Sequence, residues 1–284
     1  MLIPAEIINH EGNSISFRKI GKGPRRILFF HGFPGSSIQL EAFRPLLESK
    51  NLQVICVDRP GYNGTEVIND QQFAWTKQTV RIILQKFEWS QFEVVSVSGG
   101  TPFLFDFVRS YSEMVSHVTI ISGLGPIGRQ EYRKLLGWRM NFAIPLVLKI
   151  PGHWLRRMIV KSAIQVKKAE QWNLFRFFMP ISMADEVVMR NLQTKNTMMQ
   201  SLMEALQQNG LGPKRDLEAY LQFKDISLGK YSGNIKIWHG TEDRILPPKM
   251  AKMIAEELPS AQLNIIPNEG HYSLIIDRIA EIII

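Results

Sequence analysis

The chain has 284 residues, 45% of them hydrophobic, with a formal net charge of +8. That is ample material for a core and long for a minimal domain, so a large α/β domain with an insertion is expected. A single cysteine, Cys56, excludes an internal disulfide framework and any cysteine-based zinc site.

In chain order, two short runs come first, Glu6–Asn9 and Ser14–Ile20, joined by His10-Glu11-Gly12-Asn13. They read as a hairpin, closed by Gly21-Lys22-Gly23-Pro24. Ile27–Phe30 is a continuous apolar run, as expected of a strand buried on both faces. Residues 37–49 read as a helix with Leu40, Phe43, Leu46 and Leu47 on one face. Leu52–Val57 is the next strand, and Cys56 inside it reads as a buried, inert thiol. Residues 71–88 place Phe73, Val80, Ile83, Leu84 and Phe87 at helical spacing. A strand through Val97, a helix over about 100–112 and a strand Val118–Ser122 follow. This alternation argues for a mostly parallel sheet with helices on both faces. Sites in such sheets lie at the carboxyl ends of strands.

Five segments carry chemistry. The first is Glu93-Val94-Val95-Ser96-Val97-Ser98-Gly99-Gly100-Thr101-Pro102. Its β-branched residues suit a strand, its glycines a tight turn, and Pro102 the first turn of a helix. The pattern matches the nucleophile elbow G-x-S-x-G, with Ser96 in place of the first glycine and Ser98 as the raised serine. A serine nucleophile needs a base, and the base an orienting acid. His271, after the apolar run Leu263–Ile266, is the candidate base. Asp243, after Ile235–Trp238, is the candidate acid, with Glu242 and Asp185 as alternatives. The remaining segments are His31-Gly32-Phe33-Pro34-Gly35, just past Phe30, and Asp58-Arg59-Pro60-Gly61-Tyr62-Asn63-Gly64-Thr65. His31 and His239 each precede a glycine after a strand and read as structural turn residues. Asp58 and Arg59 read as holding their turn, and Asp106 as a solvated or capping carboxylate. The other histidines have no clustered partners, so no metal site is expected.

With the order Ser98, Asp243, His271, these motifs resemble the α/β-hydrolase superfamily over about residues 14–125 and 230–284. The resemblance implies an α/β-hydrolase fold and a cofactor-free serine mechanism. His31–Gly35 is similar to the family's HGxPG segment, so the N–H of Phe33 is the implied oxyanion donor, with that of Gly99 as the second. Asn63 and Thr65 stand where the family's turn after the fourth strand has glycine and serine. A serine at the elbow argues against the haloalkane dehalogenase and epoxide hydrolase branches, which use aspartate there.

From Pro126 to about Gly229 the alternation stops, too long a stretch for a structureless loop. It is rich in helix formers, with breakers at Pro145, Pro151-Gly152, Pro180 and Gly210–Pro213. It reads as a helical cap, dividing the chain into core (1–125), cap (126–229) and core (230–284). Between Pro126 and Ala184 there are eleven basic and two acidic residues, and three of the six tryptophans. Such a surface suits a solvated lid over an apolar pocket, or one that meets an anionic membrane. No groove-reading motif points to nucleic acid.

The expected activity is hydrolysis of an ester or similar acyl bond of a small, largely apolar molecule. The alternatives are acyl transfer, perhydrolysis or a lyase reaction on the same residues, or a non-catalytic receptor for a small molecule. No signal peptide and no apolar run of about 18 residues is evident, so the expected compartment is cytoplasmic. The apolar end Ile279–Ile284 is expected to finish a last helix on the sheet; the oligomeric state is not readable.

Overall fold

The sheet begins with a hairpin, β1 (Glu6–His10) and β2 (Asn13–Ile20), turned at Glu11-Gly12, both at positive φ. The structure, a computed structural model, describes residues 2–44, 46, 51–67, 71–154, 156–158, 180–258 and 260–283. The later strands are β3 (Arg25–Phe30), β4 (Leu52–Val57), β5 (Phe92–Val97), β6 (Val115–Ile121), β7 (Asn234–Gly240) and β8 (Ala261–Ile266). The order across the sheet is β1-β2-β4-β3-β5-β6-β7-β8. β1, β2 and β4 pair antiparallel; every pairing from β4 through β8 is parallel. This is the α/β-hydrolase fold expected from the motifs.

The central strands β3 to β7 are largely apolar because both of their faces are covered. Successive side chains point to opposite faces. Leu28, Phe30, Ile55, Val57, Val94, Ile120 and Ile237 therefore join one core cluster. Their neighbours Ile27, Phe29, Val54, Cys56, Val95, Val97, Ile121 and Trp238 join the other. The first is covered by α1 (Gln72–Lys86), α2 (Thr101–Ser110) and α7 (Pro248–Glu257). The second is covered by α8 (Ser273–Ile282), through Leu274, Ile275, Ile279 and Ile282. The apolar chain end thus finishes the last helix on the sheet, with Ile283 buried beside it.

Two expected elements differ. Within residues 37–49, Ser37–Phe43 is a tight 3₁₀ helix capped by the Ser36 hydroxyl, and residues 45 and 47–50 lie outside the described residues. Asp106 is neither free in solvent nor a cap: it pairs with Lys77 at 3.0 Å, joining α2 to α1.

Between β6 and β7 the described helices include a single turn at Gln130–Arg133, α3 (Gly137–Lys149), α4 (Met183–Met189), α5 (Leu192–Ala205) and α6 (Leu211–Gln222). α3 runs through Pro145 instead of ending there. Pro213 falls in the first turn of α6, where a missing N–H costs least. The inner faces of these helices merge with the sheet's core: Tyr132, Ile144, Leu217, Tyr220 and Phe223 belong to the same cluster as Leu28 and Val94.

The chain passes from β3 to its neighbour β4 on one side, then crosses to β5 on the other. The carboxyl ends of β3 and β5 therefore flank a point where the winding reverses, the usual place for a crevice. Phe33 follows β3 and Ser98 follows β5.

Candidate active site

β5 ends at Val97, and Ser98 takes a left-handed φ of 51° before α2 begins at Thr101. That conformation is uncommon outside glycine and asparagine, and it holds the Ser98 side chain off the strand axis. Ser96, in place of the motif's glycine, is accommodated: its hydroxyl is buried 3.1 Å from that of Thr101. Gly99 is required by contact, since a Cβ there would lie 2.5 Å from the Phe33 Cβ and 2.6 Å from the Tyr220 hydroxyl.

The loops after β7 and β8 bring two further groups to Ser98. His271 Nε2 lies 3.0 Å from Ser98 Oγ, and His271 Nδ1 lies 2.7 Å from Asp243 Oδ2. A carboxylate oxygen accepts only, so Nδ1 carries the hydrogen and the Nε2 lone pair faces the serine hydroxyl. Asp243 is held on all sides. Its Oδ1 accepts from the N–H groups of Ile245 and Leu246, both at 2.9 Å. His239 Nε2 lies 3.2 Å from Asp243 Oδ2 and donates to the Leu246 carbonyl at 2.7 Å. All three groups are buried, Ser98 with 9% of its surface exposed and Asp243 with 3%. Asp243 thus takes the place next to His271; Glu242 is exposed, and Asp185 serves elsewhere.

The electrostatics follow from this burial. Burial pulls the His271 imidazole down, but the charge and hydrogen bond of Asp243, with the charge of Asp185, outweigh it and leave it raised. Burial would raise the Asp243 carboxyl, yet His271 and His239 hold it well below the carboxylate range. His31 behaves oppositely: burial first, then the Arg59 charge, push it well down. Its Nδ1 lies 3.0 Å from the Gly32 carbonyl and its Nε2 accepts from the Arg59 N–H, so it is a turn residue, as expected.

Phe33 and Gly99 come together at the elbow. A Cβ on Gly99 would sit 3.3 Å from the Phe33 N. The N–H of Gly99 belongs to the first turn of a helix, where such groups have no partner within the helix. The Phe33 segment is set by Arg59, whose guanidinium donates to the carbonyls of His31 at 2.7 Å and Gly32 at 3.3 Å. Arg59 in turn pairs with Asp216 of α6 at 2.7 Å, both groups fully buried. Tyr220 of α6 donates to the Gly99 carbonyl at 2.7 Å, and its ring meets that of Phe33 edge-on at 5.6 Å.

Sequence reasoning missed three of these supports: Asp216, Tyr220 and the role of Asp185. Asp185 lies in the first turn of α4, in a capping box with Ser182. Its carboxylate also accepts from the backbone N–H groups of His271 at 3.2 Å, Tyr272 at 2.7 Å and Ser273 at 3.0 Å. One aspartate therefore closes the start of α4 and of α8 together, and fixes the backbone that carries His271. Gly270 is obligatory in this contact, because a Cβ there would lie 2.1 Å from Ser182 Oγ. The sequence signal was Ser182-Met183-Ala184-Asp185, a capping-box spacing. Among the described residues, no group of three metal-ligating side chains is present.

A buried hydroxyl, imidazole and carboxylate in one hydrogen-bonded line is an arrangement suited to acyl chemistry. The chain belongs to the alpha/beta hydrolase fold family, whose description matches residues 25–277. It is an enzyme of that class, with relatives named as lipases and esterases. It is 23% identical to the human monoacylglycerol lipase ABHD6 over 95% of this chain and 77% of that protein. It is 22% identical to a 2-hydroxy-6-oxo-6-phenylhexa-2,4-dienoate hydrolase of Burkholderia cepacia, over 94% of this chain and 88% of the other. An esterase from Exiguobacterium antarcticum shares the fold with a TM-score of 0.67 and 15% identity, over 95% of this chain and 94% of that one.

Proposed function

We propose that this enzyme hydrolyses an ester or similar acyl bond of a small, largely apolar molecule through Ser98, His271 and Asp243. The observation that carries this is the unbroken line of hydrogen bonds from Ser98 Oγ through the imidazole to Asp243. Ser98 Oγ attacks the carbonyl carbon as its proton passes to His271 Nε2. Asp243 keeps the imidazole in the productive tautomer and stabilises the cation that forms. The oxyanion is received by the N–H groups of Phe33 and Gly99. As the tetrahedral intermediate collapses, the C–O bond breaks and the leaving alcohol takes the proton from Nε2. Water then gives a proton to the same nitrogen as it attacks the acyl group; the bond to Ser98 Oγ breaks, and Nε2 returns the proton to Ser98 as the acid departs.

The segment 126–229 is proposed to act as a cap that shapes the acyl site, with α6 touching both Phe33 and Gly99. Lipase and esterase names among the relatives support a medium-sized apolar acyl or alcohol group. The proposed compartment is cytoplasmic, in keeping with one buried cysteine that needs no oxidising surroundings. An anionic membrane is the proposed partner of the basic segment. The test of the chemistry is hydrolysis of p-nitrophenyl esters from acetate to palmitate, with Ser98→Ala beside the parent. Activity that disappears in Ser98→Ala is the expected result, and the chain-length optimum sizes the acyl site. Equal background rates in both proteins would overturn hydrolysis of simple esters.

A further inference from the structure

α3 is apolar on two sides. One side is accounted for: Ile144 is buried in the core, with Val147 and Leu148 packed against it. The other carries Trp138, Phe142 and Leu146, four residues apart and so stacked on one face. They are 73%, 70% and 51% exposed. Beyond Pro151 the pattern recurs, with Trp154 at 53% and Met158 at 56% exposure, again four apart. Single exposed apolar side chains are ordinary; five within one stretch, two of them tryptophan, are not.

Charge shows what this face fits. From Arg133 to Met158 the sequence has no aspartate or glutamate. It has Arg133, Lys134, Arg139, Lys149, Arg156 and Arg157, all exposed. The Arg139 guanidinium lies 5.5 Å from the Trp138 ring and that of Arg157 lies 5.9 Å from the Trp154 ring. Tryptophan with arginine around it is the composition of a helix lying in the headgroup region of a bilayer: the rings enter the interface while the cations meet lipid phosphates and carboxylates.

We propose that α3 and the described residues from there through Met158 form a peripheral binding surface for an anionic lipid bilayer. This makes the membrane reading of the basic segment specific and does not depend on the hydrolase reading. The surface is mechanically tied to the site. α3 packs on α6, which presents Tyr220 to Gly99, and the corner after α3 is held by Lys214, whose ammonium donates to the Ile150 carbonyl at 2.9 Å. An apolar substrate dissolved in the bilayer would then be met by the enzyme at the surface where it is concentrated.

The experiment is co-sedimentation of the full chain with vesicles of phosphatidylcholine alone, or of phosphatidylcholine and phosphatidylserine in equal parts, at low and high salt. The parent, Ser98→Ala, the triple variant Trp138→Ala/Phe142→Ala/Trp154→Ala and the pair Lys134→Glu/Arg156→Glu are compared. Every altered side chain in the last two is exposed, and circular dichroism checks that they fold. The parent and Ser98→Ala are expected to bind the anionic vesicles alike, more weakly at high salt, and to leave neutral vesicles in suspension. Either surface variant is expected to lose binding roughly tenfold or more. Absence of parental binding at low salt, equal binding to both vesicles, or undiminished binding by the triple variant would overturn the proposal. So would a parent that is dimeric by light scattering, does not bind vesicles, and becomes monomeric in the triple variant, because the occupant would then be a second copy. Ser98→Ala separates the two proposals, since it keeps the surface and removes the chemistry.

Discussion

In the proposed mechanism, His271 sets the pH behaviour. Its imidazole is raised above the ordinary 6.5, because Asp243 and Asp185 outweigh the effect of burial. The base must be neutral to accept the Ser98 proton, so kcat/KM is expected to fall with decreasing pH around a midpoint above 6.5. For stability the sign is the reverse. A raised imidazole stabilises the fold below its unfolded value, and that contribution is lost as pH rises through the folded one. Asp243, held low, contributes at neutral pH and loses its contribution only in strong acid. Asp243→Asn is expected to lower kcat by about 10⁴, because an amide no longer selects the Nδ1–H tautomer. Its pH profile should show an acid limb displaced downward; a limb left in place would mean that another group sets it.

Asp185 acts between elements. It lies in the first turn of α4, yet three of the N–H groups it receives belong to the segment opening α8. Asp185→Asn keeps the shape and removes the charge. It is expected to destabilise the fold by about 1.5–3 kcal/mol, the usual worth of hydrogen bonds to a charged group. Urea unfolding measures this. Because the change acts through His271, kcat should fall with KM little changed, and the acid limb should move down. A variant destabilised but unaltered in its pH profile would limit Asp185 to capping. The capping-box spacing was legible in the sequence; the second helix that it closes was not, since 86 residues separate Asp185 from His271.

At the scale of the molecule, described residues of the segment between β6 and β7 are bonded into and packed on the rest of the fold. Glu204 of this segment accepts two hydrogen bonds from the Arg18 guanidinium of β2, at 2.8 and 2.9 Å, across 186 residues of chain. Ser36 donates to the same carboxylate at 2.6 Å. Phe223, just after α6, stacks on Phe105 of α2 within the sheet's own core. Unfolding followed by tryptophan fluorescence and by far-ultraviolet circular dichroism is therefore expected to give coincident transitions. Glu204→Ala leaves a guanidinium buried without its carboxylate and is expected to cost about 3–5 kcal/mol. Two separated transitions, in the parent or the variant, would show that the segment unfolds independently.

Local chemistry explains what the sequence determined by itself. β-branched runs make strands, glycine pairs make sharp turns, and each candidate group stands just past a strand's carboxyl end. The sheet, the elbow at Ser98 and the order Ser98, Asp243, His271 could therefore be read without coordinates. Asp243 is named by its place in that order, but setting Glu242 and Asp185 aside needed the tertiary structure. All three are acids near suitable turns, and only the packing of the β7 loop against the β8 loop decides which carboxylate meets the imidazole. The same holds for Arg59 with Asp216 and for Tyr220 with Gly99, pairs 157 and 121 residues apart. No pattern along the chain encodes such pairs, because their partners are chosen by how α6 lies across the ends of β3 and β5.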